Sequence, residues 1–517
     1  MIDLTVAQIA DIVGGTLADI SPQDAAQRRV TGTVEFASRA VGPGGLFLAL
    51  PGAHVDGHDY AASAAAAGAV AVLAARPAGV PAIVVAPERS PAEGARAGVL
   101  EHDADGSGAA VLAALAKLAK AVAAELVADG LTIIGITGSS GKTSTKDLVA
   151  AVLQPLGVVV APPGSFNNEL GHPWTVLRAG RDTDYLILEM SARHPGNIAA
   201  LAEIATPAVG VVLNVGTAHL GEFGSREAIA RTKSELPQAV PQSGVVVLNA
   251  DDPAVAAMAE VTAARVVRVS RGSAGDVWAG PVSLDELARP QFTVHAGATQ
   301  AEVRLGVYGD HQVSNALCAA AVALECGATL DQVATALGGA GPVSRHRMQV
   351  TTRTDGVTVI DDAYNANPDS MRAGLQALAW IAHGGSGAGS EPVNRRSWAV
   401  LGEMAELGAD AIAEHDRVGR LAVRLDVSRL VVVGTGRSLS AMHHGAVLEG
   451  AWGAGADRGA VNVADADAAL ALLRAEVQPG DVILVKASNS ARLGALADAL
   501  VSDDPAGGAD NRGSARP

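Results

Sequence analysis

The sequence predicts an α/β protein of three domains, each built on a sheet that helices cover. Short apolar runs such as LFLAL (46–50) and YLILEM (185–190) alternate with helical stretches along the chain, which is typical of parallel sheets. The length of 517 residues also exceeds what one hydrophobic core holds. Because 49% of the residues are hydrophobic and only 18% are charged, there is enough apolar surface for several cores.

The first predicted domain covers residues 1–128. Its apolar runs at 46–50 and 82–86 are typical of strands that lie between alanine-rich helices. Residues 107–127 have the periodicity of one helix, which Asp129-Gly130 can end. We therefore predict a small α/β domain with a boundary near residue 129.

The second predicted domain covers residues 129–345 and begins with a strand, a glycine-rich loop and a helix. Between 264 and 306 helical signals are missing, and short β-like runs predict an antiparallel edge or subdomain. The other predicted elements are strands at 185–190, 208–215 and 244–250, and helices at 311–326 and 330–339. This order predicts a parallel sheet covered by helices.

The third predicted domain covers residues 346–503 and is again α/β. Its predicted strands are VTVIDDA (357–363), SWAVLGEM (397–404), RLVVVG (429–434) and DVILVKA (481–487). The glycine- and serine-rich stretch 383–397 predicts a flexible surface loop, and residues 504–517 predict a disordered tail.

Charge and composition argue against several classes of protein. A formal net charge of −16 and a pI of about 5.2 provide no basic surface for nucleic acid. The N-terminus lacks the basic segment of a secretory signal, and the alanine-rich run 61–75 is too short to span a bilayer. We expect a soluble cytoplasmic protein without membrane insertion. Cys318 and Cys326 lie about two turns apart on one predicted helix, so we interpret them as core residues rather than as a redox pair or metal ligands.

The stretch ITGSSGKTSTKDL (136–148) is a shortened phosphate-binding loop, in which Gly138 and Gly141-Lys142-Thr143 lie between a strand and a helix. Backbone N–H groups at such a helix start bind phosphate oxygens. Lys142 can reach the β and γ phosphates, and Thr143 can bind Mg²⁺. The alternative is an ordinary glycine-rich turn.

Three further residues of the second domain have the chemistry of a metal site. Glu189 ends the strand DYLILEM, where open α/β sheets place ligand-facing groups, although a solvated carboxylate is an equal alternative. His219 follows another apolar strand, and Lys233 comes fourteen residues later on a helix that Ser225 can cap. A structural histidine and a solvated lysine are the alternatives.

In the third domain, Asp361 and Asp362 end a strand before a tight connection, which turn chemistry alone also explains. Arg345, His346 and Arg347 form a small basic cluster at the domain joint. This cluster suits a polyphosphate, but it suits a surface linker equally.

Taken together, the shortened loop, Glu189, His219 with Lys233, GDHQVSNALCAAAVAL (309–324), Arg347 and Asp362 resemble the ATP-dependent Mur ligases of peptidoglycan synthesis. Within that family, GSFNNELGHPWTVL (164–177) and VIDDAYNANPDSM (359–371) resemble the ligase of the last step. The resemblance implies that D-alanyl-D-alanine is joined to UDP-N-acetylmuramoyl-tripeptide. The Asp-Asn-Pro-Arg type signature of the sister ligase that adds the third-position diamino acid is missing from the sequence.

The resemblance also implies the role of each domain. The first would bind the UDP group, the second would be a phosphate-loop ATPase with a parallel sheet, and the third would be Rossmann-like. The implied nucleotide site consists of Gly138, Ser139, Ser140, Gly141, Lys142, Thr143, Ser144, Asn315, Arg347 and Asp362. The implied UDP-binding residues are Ser38, Arg39 and His54, and those of the substrate-facing loop are Asn167, Asn168 and Glu169.

The implied cofactors are ATP and two Mg²⁺ ions. Thr143 would bind one ion, and Glu189 and His219 would bind the second, with a carbamylated Lys233 as a further ligand. Lys142, His219 and Lys233 would be the catalytic residues. The implied partners are the two small-molecule substrates, and we expect a monomer.

Two other functions remain open at the level of sequence. A sister ligase acting on the dipeptide precursor or on folate would be distinguished by substrate trials. A regulatory nucleotide-binding module would release phosphate without any amine acceptor.

Overall fold

The computed structural model describes residues 1–52, 55–87, 100–216, 220–273, 275–384, 395–450 and 458–503. Most of the predicted surface loop 383–397 and all of the predicted tail 504–517 lie outside these ranges. The predicted α/β class is confirmed in each of the three regions of the chain.

The N-terminal region contains a small sheet with the order β2-β7-β6-β5-β4 and an antiparallel pair of β1 with β3. Strands β4 to β7 are parallel, and β2 is antiparallel to β7. The strands are β1 (Leu4–Thr5), β2 (Thr16–Ala18), β3 (Arg29–Val30), β4 (Val34–Glu35), β5 (Gly45–Leu48), β6 (Ala69–Ala74) and β7 (Ala82–Val84), and the helices are α1 (Val6–Val13), α2 (Pro22–Gln27), α3 (Ala61–Ala67) and α4 (Ser107–Ala128).

Helix α4 joins this region to the next one. Its buried face carries Val111, Leu115, Leu118 and Val122, which belong to one apolar cluster together with α1 and the first strands. The N-terminal amides of α4 are capped by the buried Asp103, whose carboxylate accepts hydrogen bonds from two of them. The predicted boundary near 129 remains a prediction; α4 ends at Ala128 and the next strand begins at Thr132.

The central region is built on a mainly parallel sheet with the order β15-β16-β14-β13-β12-β11-β8-β10-β9. Its strands are β8 (Thr132–Thr137), β9 (Val159–Val160), β10 (Tyr185–Glu189), β11 (Val209–Val212), β12 (Val245–Asn249), β13 (Arg265–Ser270), β14 (Val277–Ala279), β15 (Ser283–Leu284), β16 (Pro290–Ala296) and β17 (Thr299–Arg304). Its helices are α5 (Lys142–Leu153), α6 (Gly171–Val176), α7 (Asn197–Ile204), α8 (Leu220–Phe223), α9 (Arg226–Lys233), α10 (Glu235–Ala239), α11 (Pro253–Ala256), α12 (Gln312–Glu325) and α13 (Leu330–Gly339).

The antiparallel segment predicted between 264 and 306 forms the edge of this sheet. Strands β14, β15 and β17 pair antiparallel with β16. Strand β13 differs from the prediction, because it runs parallel to both β12 and β14 and extends the parallel part. The carboxyl ends of β8 and β10 lie side by side in the middle, with Glu189 opposite Ile136.

The C-terminal region has a sheet with the order β18-β19-β23-β20-β21-β22, parallel except for the β18–β19 pair. The strands are β18 (Gln349–Thr352), β19 (Thr358–Asp361), β20 (Ser397–Leu401), β21 (Arg429–Val433), β22 (Gly459–Val463) and β23 (Val482–Lys486), and the helices are α14 (Pro368–His383), α15 (Ala411–Arg424), α16 (Arg437–Glu449), α17 (Ala466–Glu476) and α18 (Gly494–Ser502). All four strands predicted here are present, whereas β18 and β22 were not predicted.

Cys318 lies in the middle of α12 and Cys326 directly follows its last residue, and both are free thiols. Burial raises the pKa of Cys318 to about 12 and that of Cys326 to about 11. Both thiols are therefore protonated; Cys318 is a core residue, as predicted, and Cys326 is partly buried against the same core. Among the described helices, none combines the length and the apolar character needed to cross a bilayer.

Candidate active site

The phosphate-binding loop connects β8 to α5 and is held in shape by a neighbouring strand end. The amide of Ser140 donates a hydrogen bond of 2.9 Å to Oδ1 of Asn214, and Nδ2 of Asn214 donates one of 3.1 Å to the carbonyl of Ser140. Gly141, directly before α5, has φ +85°, and a Cβ at this position would lie 2.7 Å from Oδ1 of Asn315. Only glycine fits both this conformation and this contact.

Lys142 is the first residue of α5 and is half-buried. Its ammonium donates a hydrogen bond of 2.8 Å to the carbonyl of Gly138, so the side chain folds back over the loop. Burial lowers its pKa, and the carboxylate of Glu189 opposes this shift. A polyphosphate bound at the loop would supply negative charge that stabilises the ammonium of Lys142.

Glu189 is fully buried at the end of β10, beneath the loop. Its Oε2 accepts hydrogen bonds of 3.2 Å from the hydroxyl of Thr143, 3.2 Å from Ser165 and 3.5 Å from Asn167. Its Oε1 has no hydrogen-bond partner among the described residues. A buried carboxylate oxygen without a partner is costly, which favours a ligand at this atom over the alternative of a solvated side chain.

Lys233 is the last residue of α9, and only 7% of it is exposed. The side chain of Ser225 caps this helix, as predicted. Burial, with the charge of Lys142 as a second cause, lowers the pKa of Lys233 well below its usual value. Within the described ranges its ammonium donates no hydrogen bond and forms no ion pair, so it is not a solvated helix lysine. His219 lies outside the described residues.

The three residues of the basic cluster at the domain joint do not all contact the phosphate loop. Arg347 reaches the phosphate loop, where its guanidinium donates a hydrogen bond of 3.3 Å to Thr143 and lies 4.3 Å from the ring of Tyr364. Arg345 forms an ion pair of 2.9 Å with Asp498, and Nδ1 of His346 lies at hydrogen-bond distance, 2.7 Å, from Oδ2 of Asp361.

His346, Asp361 and Asp498 bring potential metal ligands within 4.8 Å of one another. All three already have partners, so this group differs from the predicted metal site.

Asp362 forms a buried ion pair of 2.5 Å with Lys486, the last residue of β23. The ammonium also donates a hydrogen bond of 2.8 Å to the carbonyl of Asn365, and only 1% of Lys486 is exposed. Sequence reasoning missed Lys486 and Asn214. The available signal was a polar residue at or just beyond the end of an apolar strand, the same signal that identified Glu189.

One cavity of about 850 Å³ collects most of these groups from all three regions. One wall is apolar and consists of α4 and α7, with Leu112, Leu201 and Ile204. The predicted residues that line the cavity are Ser139, Ser140, Gly141, Lys142, Thr143, Ser144, Asn167, Asn168, Glu169, Asn315, Arg347 and Asp362.

The remaining predicted residues lie elsewhere. Three predicted residues do not line the cavity, namely Gly138, Glu189 and Lys233. Glu189 is nevertheless connected to it, because it accepts a hydrogen bond from Thr143, which does line the cavity. Ser38 and Arg39 belong to a short helical turn of the N-terminal region and do not line the cavity. His54 lies outside the described residues.

Three family models match the chain. They are the Mur ligase family catalytic domain at residues 32–120, the Mur ligase middle domain at 136–323, and the Mur ligase glutamate ligase domain at 346–489. The UDP-N-acetylmuramoyl-tripeptide--D-alanyl-D-alanine ligase of Mycobacterium tuberculosis is 82% identical over 98% of this chain and 99% of its own length.

Two solved structures are similar along nearly the whole chain. MurF from Acinetobacter baumannii has a TM-score of 0.78 and 28% identity, covering 97% of this chain and 99% of that one. MurF ligase from Thermotoga maritima in complex with ADP has a TM-score of 0.69 and 26% identity, covering 92% and 98%.

Proposed function

This chain belongs to the Mur ligase family, and we propose that its central cleft joins D-alanyl-D-alanine to UDP-N-acetylmuramoyl-tripeptide with ATP as the phosphate donor. The observation that carries this proposal is the cavity of about 850 Å³ in which the phosphate loop, the loop 167–169 and Arg347 with Asp362 meet. A relative of 82% identity that bears the name of this ligase supports the choice of substrates.

ATP would lie with its phosphates on the loop between Gly138 and Ser144. The amides at the start of α5 and the ammonium of Lys142 would bind the phosphate oxygens. Asn315 would lie near the adenine, and Arg347 and Asp362 would complete the nucleotide site from the C-terminal region. The Thermotoga relative was solved in complex with ADP, which supports an adenine nucleotide as a ligand of this chain.

We propose that the site holds two Mg²⁺ ions. The Oε1 of Glu189, which has no hydrogen-bond partner among the described residues, and the hydroxyl of Thr143 are hard oxygen ligands of the kind that Mg²⁺ prefers. We assign Thr143 to one ion, and Glu189 with His219 to the other. When bound, the ions supply positive charge that lets two anionic reactants approach each other.

Lys233 would carry a carbamate. A neutral amine adds CO₂ with loss of one proton, and the lowered pKa of Lys233 favours the neutral amine. The product is a carboxylate-like oxygen ligand that is held by the end of α9. Incubation with ¹³C-labelled bicarbonate tests this chemistry by NMR, because a carbamate resonance must appear in the full-length protein and be missing from Lys233→Ala.

The reaction would proceed in two steps. The terminal carboxylate of the tripeptide attacks the γ-phosphate of ATP, which forms an acyl phosphate and releases ADP. The amine of D-alanyl-D-alanine then attacks the acyl carbon, and phosphate leaves from the tetrahedral intermediate. Lys142 and Arg347 would neutralise the charge that builds up on the transferred phosphoryl group.

The division of the site between regions protects the intermediate. Arg347, Asp362 and Lys486 enter from the C-terminal region, whereas the phosphate loop belongs to the central sheet. Closure of the two regions would exclude water from an acyl phosphate that water would otherwise hydrolyse. All assigned groups come from one chain, so we propose a monomer. We place it in the cytoplasm, where ATP and UDP-linked precursors are found.

Phosphate release tests the proposal directly. The full chain is incubated with ATP, Mg²⁺ and UDP-N-acetylmuramoyl-tripeptide, with and without D-alanyl-D-alanine, and the products are weighed by mass spectrometry. We expect release only with both substrates, and a pentapeptide product. Release with the dipeptide precursor and a diamino acid would instead identify the sister ligase. Release that needs neither substrate would contradict ligase activity.

A further inference from the structure

Trp174 is buried in α6, where it contacts two segments that are far apart in sequence. Its indole N–H donates a hydrogen bond of 2.7 Å to the carbonyl of Val34, at the edge of the N-terminal sheet. Its ring meets the edge of Phe36 with centroids 5.8 Å apart. Phe36 lies two residues before Ser38 and three before Arg39, the residues assigned to the UDP group.

On its other side, Trp174 supports the substrate-facing loop. The ring of Phe166 lies 4.8 Å from the ring of Trp174. A Cβ on Gly171 would lie 2.8 Å from Cβ of Phe166, so glycine at this position lets the phenylalanine rest directly on the start of α6. Asn167 and Asn168 follow immediately, and their positions depend on where Phe166 lies.

Several hydrogen bonds hold the loop 167–169 in place. The carbonyl of Asn167 accepts a hydrogen bond of 3.4 Å from the amide of Ser191. Asn168 accepts from the amide of Gly171 at 2.8 Å through its side chain, and from the amide of His172 at 2.9 Å through its carbonyl. A shift of α6 would therefore shift the whole loop, which passes within 3.5 Å of Glu189 through Asn167.

We propose that Trp174 is a positioning residue that fixes the spacing between the uridine half-site on the N-terminal region and the peptide half-site on the loop 167–169. This inference rests on the proposed function, because only a substrate that spans both half-sites depends on their spacing. Two linked binding groups gain affinity from each other when their receptor sites are held at the matching distance. Each group alone gains nothing from that distance.

The test compares UDP alone with UDP-N-acetylmuramoyl-tripeptide by titration calorimetry. Trp174→Phe keeps an aromatic ring but removes the N–H and part of the contact area. We expect its affinity for UDP to stay within about twofold and its affinity for UDP-N-acetylmuramoyl-tripeptide to fall about tenfold. We also expect the KM for ATP to stay within about twofold, since the hydrogen bond and ring contacts of Trp174 within the described residues involve Val34, Phe36, Phe166 and Arg178 and not the phosphate loop.

Trp398→Phe is the matched control. Trp398 is also buried and also donates an indole hydrogen bond, of 2.8 Å to Asp481, but it lies in the C-terminal sheet. This variant should lose stability without any change in either affinity. If Trp174→Phe does not fold, Phe36→Leu replaces it, because Phe36 is only partly buried. This variant should also bind UDP-N-acetylmuramoyl-tripeptide more weakly while its affinity for UDP stays the same.

If Trp174→Phe lowers the affinity for both ligands equally, or lowers neither affinity, the proposed role of Trp174 is wrong. The ligase activity of the wild type is not affected by that result. A wild-type protein that binds UDP-N-acetylmuramoyl-tripeptide no better than UDP would overturn the proposal as well. Because ligation is measured separately, that result is distinguishable from a failure of the proposed function.

Discussion

Arg347 donates a hydrogen bond of 3.3 Å to the hydroxyl of Thr143, and this contact joins the C-terminal region to the phosphate loop. The same hydroxyl donates to Glu189 at 3.2 Å, so a short chain of contacts links the domain joint to the buried carboxylate. The stacking of Arg347 on Tyr364 holds the guanidinium in place. The position of the C-terminal region is thus coupled to the geometry of the phosphate loop.

Replacement of Arg347 by Met should lower kcat about 100-fold, because one positive donor is removed from the transferred phosphoryl group. Arg345→Met is the neighbouring control. Arg345 is 73% exposed at its side chain and pairs with Asp498, outside the cleft, so kcat should stay within about twofold. Steady-state ligation assays measure both variants. An equal loss in the two variants would place the effect in the linker rather than in the cleft.

Glu189→Gln should raise the Mg²⁺ concentration needed for half-maximal ligation at least about tenfold, since the variant keeps the shape but loses the charge of a metal ligand. Glu203→Gln, on the exposed side of α7, removes the same charge without touching the site and should leave the Mg²⁺ requirement unchanged. The measurement is a Mg²⁺ titration at saturating ATP. An unchanged requirement in Glu189→Gln would contradict the assigned role.

The sequence was informative where a local rule decides the structure. The shortened loop has a fixed strand-to-helix context, and Glu189 and Asp362 directly follow or end apolar strands, so their positions could be predicted. Ala69–Ala74 shows the limit of such rules. Its alanines favour helix by intrinsic propensity, yet the segment forms the strand β6 in the middle of a sheet, where burial between two neighbours outweighs propensity.

Contacts between distant segments could not be predicted in the same way. Lys486 pairs with Asp362 across 124 positions, and Asn214 holds Ser140 across 74. Neither pairing leaves a periodic signal in one chain, because it depends on the order of strands in the sheet. The adjacency of β19 and β23, and of β8 and β11, brings these side chains together only after folding.

The pair Lys486–Asp362 should be a strong determinant of stability in the C-terminal region. Lys486→Met leaves a buried carboxylate without its cation, and we expect a loss of about 3–5 kcal/mol in the free energy of unfolding. The double variant Lys486→Met/Asp362→Asn should lose less than Lys486→Met alone, because no uncompensated charge remains. Urea unfolding followed by tryptophan fluorescence measures both. A larger loss in the double variant would contradict this account.

His172 should make the protein less stable in mild acid. It is fully buried in α6, and burial lowers its pKa to about 4. In the unfolded chain its pKa returns to about 6.5, so the unfolded state takes up a proton first as the pH falls. The contribution of a neutral His172 is complete above about pH 6.5 and is lost progressively between pH 6.5 and 4, with about 2 kcal/mol lost by pH 5.

His172→Gln removes this titration, so the difference in unfolding free energy between pH 7.5 and pH 5 should shrink by about 2 kcal/mol relative to the wild type. His194→Gln is the control, since His194 is an exposed histidine of the same central region and should leave that difference unchanged. Burial also lowers the pKa of His311 and His415, so part of the acid sensitivity should persist in His172→Gln. Urea titrations at the two pH values decide the question, and an undiminished pH dependence in His172→Gln would show that His172 is not the group that titrates.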